Sequence, residues 1–115
     1  MSPLADIAVE RHGARVVARL AGEVDVTNVG SVGRELIGAV PNDAHGLVVD
    51  LAATDYLDSA AIELLFDLSR RLHRRRQDLR LVVPAGSPLT RVLELTEVDT
   101  AAPLHETLAG ALADR

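Results

Sequence analysis

The sequence has no cysteine, tryptophan or lysine, and its only aromatic residues are Tyr56 and Phe66. Without cysteine there can be no disulfide, no thiolate metal site and no cysteine nucleophile. Two aromatic side chains cannot build the stacking platforms on which bases or sugars lie. Basic charge is also scarce. Twelve arginines against seventeen acidic residues leave a net charge of −5, which opposes a general role in coating nucleic acid. No segment approaches the ~20 apolar residues of a membrane span. The start, Met1-Ser2-Pro3-Leu4-Ala5-Asp6, lacks the basic n-region and apolar run of a signal peptide. A cytoplasmic chain without membrane insertion is expected. The 115 residues leave room for one domain, 1–115, with one modest core.

What is present is an aliphatic pattern, 48% apolar, that must build the core from Leu, Val, Ile and Ala. Asp6 to Glu10 reads as a strand, His12-Gly13 as a turn, and Ala14 to Ala21 as a second strand, so the chain opens with an antiparallel hairpin. In the second strand Arg15 and Arg19 face one side and Val16, Ala18 and Leu20 the other. Gly22-Glu23-Val24-Asp25 is read as leaving the sheet. Thr27 or Asn28 then caps a helix running to about Val40, with Val29, Val32, Leu36, Ile37 and Val40 as its apolar stripe. Leu47 to Ala52 is a continuous apolar run suited to a central strand. A short loop leads to the strongest helix, Ser59 to about Arg76, which buries Ala61, Leu65, Leu68 and Leu72. Leu79 to Val83 is a further strand, and Ser87-Pro88 opens a short helix carrying Leu89, Val92 and Leu93 inward. Thr100 to Ala102 is expected as an edge strand, and Pro103 as the start of a last helix with Leu104, Leu108 and Leu112 inward. The expected fold class is α/β: a mixed sheet of four to five strands, parallel in its later part, with about four helices and right-handed crossovers.

In such a sheet, functional groups gather where strands end and helices begin. The segment Asp55-Tyr56-Leu57-Asp58-Ser59-Ala60-Ala61 lies at such a place. Two readings of Asp58 and Ser59 stand side by side. They can be a helix cap and nothing more, or they can present the Ser59 hydroxyl to solvent at a helix N-terminus. A phosphate there would add about −1.5 to −2 charges beside free backbone N–H groups, without unfolding the helix. Asp25 can likewise be a helix-entry cap, a role compatible with a place on a binding face.

Gly22-Glu23-Val24-Asp25, Leu47-Val48-Val49-Asp50-Leu51 and Tyr56-Leu57-Asp58-Ser59-Ala60-Ala61-Ile62-Glu63-Leu64-Leu65 occur in an order and spacing that resembles the STAS domains of bacterial anti-sigma factor antagonists, the anti-anti-sigma factors. The likeness extends to Arg80-Leu81-Val82-Val83 and the Ser87-Pro88 helix, and so spans nearly the whole chain. It implies that Ser59, directly after the Asp, is the regulatory phosphorylation site. It also implies an anti-sigma factor serine kinase as partner, bound while Ser59 is free and released on phosphorylation, with a serine phosphatase to restore binding. The partner-binding residues it suggests are Asp25, Asp58, Ser59, Ala60, Ala61 and Ile62. The sequence departs from the family pattern where Ala60 and Ala61 replace a Ser and a Gly. Neither change removes the acceptor hydroxyl.

No catalytic role is expected. A Ser59 nucleophile needs a positioned base, no Gly-x-Ser-x-Gly elbow surrounds it, and there is no phosphate-cradling glycine loop. His12, His45, His73 and His105 are scattered without metal-ligand spacing. No cofactor, metal or direct nucleic-acid contact is expected, and any ATP and Mg²⁺ would belong to the kinase. Asp50 reads as an acceptor for nearby backbone, and the Arg70 to Arg76 cluster as a solvated helix end in which Asp67 pairs with Arg70 and Arg71. Two rivals share the fold: a constitutive STAS scaffold in a transporter-associated or stress-signalling assembly, and a small-ligand binder using a strand-end crevice near Asp25 and Ser59.

Overall fold

The computed structural model describes residues 5–113. Strands β1 (Ala5–His12) and β2 (Arg15–Val24) form the antiparallel hairpin. The later strands, β3 (Gly46–Asp50), β4 (Thr54–Leu57), β5 (Asp78–Val82) and β6 (Leu104–His105), all lie parallel to their neighbours. The sheet order is β1-β2-β3-β5-β6, with β4 pairing β2 off this path. Five helices complete the described chain: α1 (Val29–Gly38), α2 (Ser59–Arg74), α3 (Leu89–Leu95), α4 (Val98–Ala101) and α5 (Leu108–Leu112). The mixed α/β class is as the sequence indicates, with one strand and one helix more than expected.

The hydrophobic pattern explains the layering. On one face Val16, Ala18 and Leu20 of β2 and Leu47 and Val49 of β3 pack under Leu36 of α1, Leu65, Leu68 and Leu72 of α2, and Leu93 of α3. The opposite face holds a smaller cluster, in which Val17, Val48 and Val82 meet Ala111, Leu108 and Leu112 of α5. Burial on both faces is why β3 reads as an unbroken apolar run.

Arg15 lies on that second face yet is almost fully buried. Its guanidinium forms a two-pronged pair with the Asp78 carboxylate, which also sits 3.5 Å from Nε of Arg80. Arg80 donates through Nη1 to the carbonyls of Ala111 and Ala113, at 2.8 and 3.1 Å, closing the end of α5. Arg15, Asp78 and Arg80 thus tie β2, β5 and α5 together.

Several boundaries correct the sequence expectations. Gly22 to Val24 does not leave the sheet, because residues 54–57, expected as loop, form β4 and extend the ladder of β2. The expected edge strand at Thr100 to Ala102 is largely α4, where Ala102 N–H donates to the Val98 carbonyl at 2.9 Å. The edge of β5 is instead met by residues 103–105, whose Pro103 and His105 carbonyls accept from Leu81 and Val83. The last helix therefore starts not at Pro103 but at Leu108, where Thr107 caps it by accepting from Gly110 N–H; Leu104 sits in β6. Helix α2 ends at Arg74, and Arg76 takes a left-handed φ of 59° beyond it. The arginine cluster is only partly a solvated end. Asp67 does pair with Arg70 and Arg71, both at 3.8 Å, but Arg75 donates to the Val40 carbonyl and Asn42, covering the end of α1.

The two glycines within α1 have different meanings. A Cβ on Gly33 would come within 2.8 Å of Leu64 Cδ1, so Gly33 lets α1 press against α2. Gly30 is exposed, and a Cβ there would meet only Arg34 at an ordinary 3.5 Å. Gly30→Ala should therefore stabilise the protein by roughly 0.5–1 kcal/mol through helix propensity alone. An upward shift of the urea midpoint at unchanged slope is the expected result.

Candidate functional site

The site grows out of the length of β2. With ten residues it has twice the length of β3, so it pairs first with β3 and then with β4. β2 pairs with β3 as far as Arg19 and with β4 from Gly22 onward, and the β2–β4 register shifts between Gly22 and Glu23. Gly22 adopts φ +97°, a conformation that side-chain-bearing residues rarely take, and donates to the Ala53 carbonyl at 3.0 Å. Beyond this bulge Val24 and Leu57 lie side by side, both buried, and their strands deliver Asp25 and Asp58 to the same end of the sheet.

Asp58 joins the two loops that emerge there. Its N–H donates to the Val24 carbonyl at 3.2 Å. Oδ1 accepts from Ala61 N–H at 3.0 Å, the N-cap bond of α2, and Oδ2 accepts from Val26 N–H at 3.0 Å. Asp58 is thus both the helix cap and a strut to the β2–α1 loop.

Asp25 organises the other loop. Its Oδ1 accepts from the Thr27 hydroxyl and from Thr27 N–H at 2.9 Å, and its carbonyl accepts from Val29 N–H at 2.9 Å. The Thr27 hydroxyl, followed by the Thr27 N–H, holds the Asp25 carboxyl below its ordinary pKa, so the charge persists at neutral pH. Asn28 precedes the first residue of α1, but its side chain makes no cap bond. It accepts from Asp25 N–H and donates to the Glu23 carbonyl, both at 2.9 Å.

The six residues picked out by sequence divide into two groups. Ser59 is exposed as the first residue of the sixteen-residue α2, with Asp25, Asp58 and Ala60 partly exposed around it. Ala61 and Ile62 turn inward at 1% and 7% exposure, because the period of α2 places them in the core. They support the site from beneath rather than line its surface. Among the described residues neither Ser59 N–H nor Ala60 N–H has a hydrogen-bond partner, and no histidine bonds to Ser59. What the arrangement offers chemically is an accessible hydroxyl beside a fixed carboxylate and two free N–H groups.

Two exposed residues of this face are not among the partner-binding residues that the sequence suggests. Val26, 72% exposed, is the residue whose N–H Asp58 holds, and Tyr56, 50% exposed, pairs with Glu23 in the β2–β4 ladder. Their available signal was an apolar residue outside any helical or strand period and a lone tyrosine in a segment taken for a loop. Asp50, by contrast, accepts from Ala52 N–H at 2.9 Å, the local backbone role expected of it.

A cleft of about 580 Å³ lies elsewhere. It is lined by Val83, Ser87, Thr90, Arg91, Glu94 and His105 at the ends of β5 and β6. Neither Asp25 nor Ser59 lines it.

Comparison with known proteins fits this geometry. The STAS domain family model matches residues 6–111. The anti-sigma-F factor antagonist RsfB of Mycobacterium tuberculosis is 27% identical over 107 residues, covering 92% of this chain and 85% of the relative. The crystal structure of an anti-sigma factor antagonist from Mycobacterium paratuberculosis superposes with a TM-score of 0.82 at 26% identity, covering 94% of this chain and 91% of that one. The Bacillus cell fate determinant SpoIIAA, solved in its phosphorylated form, shares the fold at a TM-score of 0.62 and 20% identity, covering 93% of this chain and 96% of that one.

Proposed function

Because the chain belongs to the STAS domain family, we propose that it is an anti-sigma factor antagonist switched by phosphorylation of Ser59. The similarity to RsfB and to the Mycobacterium paratuberculosis antagonist supports the first half of this reading. The single observation that supports the second is the exposed Ser59 hydroxyl at the start of α2, next to the carboxylate that ties α2 to the Asp25–Val26 loop.

With Ser59 free, the face formed by Asp25, Val26, Tyr56, Asp58, Ser59 and Ala60 docks on an anti-sigma factor serine kinase, which gives up its sigma factor. Val26 and Tyr56 supply apolar contact area of the kind that dominates interface energetics. A phosphate on Ser59 lies over the free N–H groups of the first turn, so α2 tolerates it. The docked kinase, in contrast, meets two added negative charges beside Asp25 and Asp58, together with extra bulk. Hydrolysis by a serine phosphatase reopens the face. Nucleotide and Mg²⁺ belong to the kinase.

The test is a pull-down from native lysate with ADP added, using tagged wild type, Ser59→Ala and Ser59→Asp. A kinase of the anti-sigma type should accompany wild type and Ser59→Ala and be lost with Ser59→Asp. The alanines at 60 and 61, where the family carries Ser and Gly, favour one alternative: a constitutive scaffold. Its signature is the same non-kinase partner with all three proteins, which would overturn the switch.

A further inference from the structure

The hairpin register decides which backbone groups of β1 are left over. His12 pairs with Arg15 across the two-residue turn Gly13–Ala14. A closing pair of this kind exchanges both of its hydrogen bonds, and hydrogen-bonded pairs then alternate along the ladder. Asp6, Ala8, Glu10 and His12 therefore bond to β2, while Ala5, Ile7, Val9 and Arg11 direct N–H and C=O outward. β1 is a terminal strand of the sheet order, eight residues long, and its pairing with β2 is continuous. It carries no proline and no bulge, two of the devices that protect edge strands from pairing, and its charges, Asp6, Glu10 and Arg11, are of both signs. Val9, at 45% exposure, adds an apolar side chain in the middle of this edge.

We propose that β1 pairs antiparallel with the β1 of a second copy about a two-fold axis through Val9, making one continuous sheet across a homodimer. The charges along the strand select that register. Outward-facing residues must oppose outward-facing residues, which puts the axis on a residue, and near the middle of the strand the choices are Ala8, Val9 and Glu10. An axis at Ala8 sets Asp6 against Glu10 of the other copy, twice, and an axis at Glu10 sets the two Glu10 carboxylates against each other. Like charges directly opposite destabilise a ladder. The axis at Val9 instead sets Val9 on Val9, Ile7 on the aliphatic stem of Arg11, and Asp6 on His12, again twice. Of these three registers only this one has no like-charge pair, and it pairs seven residues of the strand, Asp6 to His12; its two-fold makes the contact self-complementary and closed. The inference does not depend on the role of Ser59.

The test is molar mass by light scattering from micromolar to millimolar protein. Wild type should pass from monomer to dimer. Val9→Pro removes an outward N–H without touching a β1–β2 bond, and should remain monomeric while keeping the wild-type circular dichroism spectrum. His12→Asp sets like charges opposite Asp6 and should weaken dimerisation roughly tenfold, corresponding to two repulsive pairs. Adding Asp6→Arg to His12→Asp should restore it, which a merely misfolded variant would not do. A wild-type mass that stays monomeric at millimolar concentration overturns the proposal, as does a dimer that survives in Val9→Pro.

Discussion

A chain ended at Glu106 is expected to lose roughly 4 kcal/mol of folding stability or more, a large share of the ~5–15 kcal/mol that holds a domain folded. Val17, Val48 and Val82 are only 0%, 0% and 3% exposed, on a face whose only helical cover among the described residues is α5. Removing α5 returns three valine side chains to water, at about 1.5 kcal/mol each by the usual transfer scale. It also strips Arg80 of the Ala111 and Ala113 carbonyls that α5 supplies, leaving it only the shared Asp78 carboxylate. The truncated chain should show a broad urea transition and bind a hydrophobic dye before unfolding. A sharp transition within about 1 kcal/mol of the full chain would mean that the two-faced core is not what holds the sheet.

Asp58→Ala is expected to cost about 2 kcal/mol of stability and to abolish partner binding, whereas Ser59→Ala should leave stability within about 0.5 kcal/mol and binding intact. The asymmetry follows from the bonds each side chain makes. Asp58 accepts from two backbone N–H groups, Ala61 in the helix and Val26 in the neighbouring loop, and its loss strands both. Ser59 contributes no structural hydrogen bond among the described residues. Asp58→Asn is the informative intermediate, since an amide has one accepting oxygen and its NH₂ opposes one of the two donors. Urea denaturation of the three variants, with binding to the purified partner measured in parallel, checks the ranking. Equal losses for Asp58→Ala and Ser59→Ala would contradict the bridging role.

The sequence made the hairpin, the central strand and α2 legible because each follows a single strong period. It obscured β4, whose exposed Asp55 and Tyr56 sit next to each other between buried Thr54 and Leu57, so that its four residues show no alternation to read. Missing β4 also cut β2 short, and so hid the fact that Asp25 and Asp58 arrive side by side. The C-terminal third misled for another reason. Pro103 has the look of a helix start, but β5 needed a parallel partner, and that tertiary demand outweighed the local signal. At the site, Asp58 as cap and Ser59 as the exposed position could be read from residue type and place. Which of Ala60, Ala61 and Ile62 faces solvent depended on the rotation of α2 against the sheet.

The three-way pairing of β2 also has a kinetic meaning. Its hairpin with β1 closes through two residues and is the kind of structure that forms within about 1–10 μs. β3 and β4 can join only once β2 is in place, and their parallel ladders close much longer loops. The hairpin is thus the natural first step in assembling the sheet. The loop that carries Asp58 and Ser59, fastened only after β4 has found the far half of β2, is among the last parts of the molecule to acquire its shape.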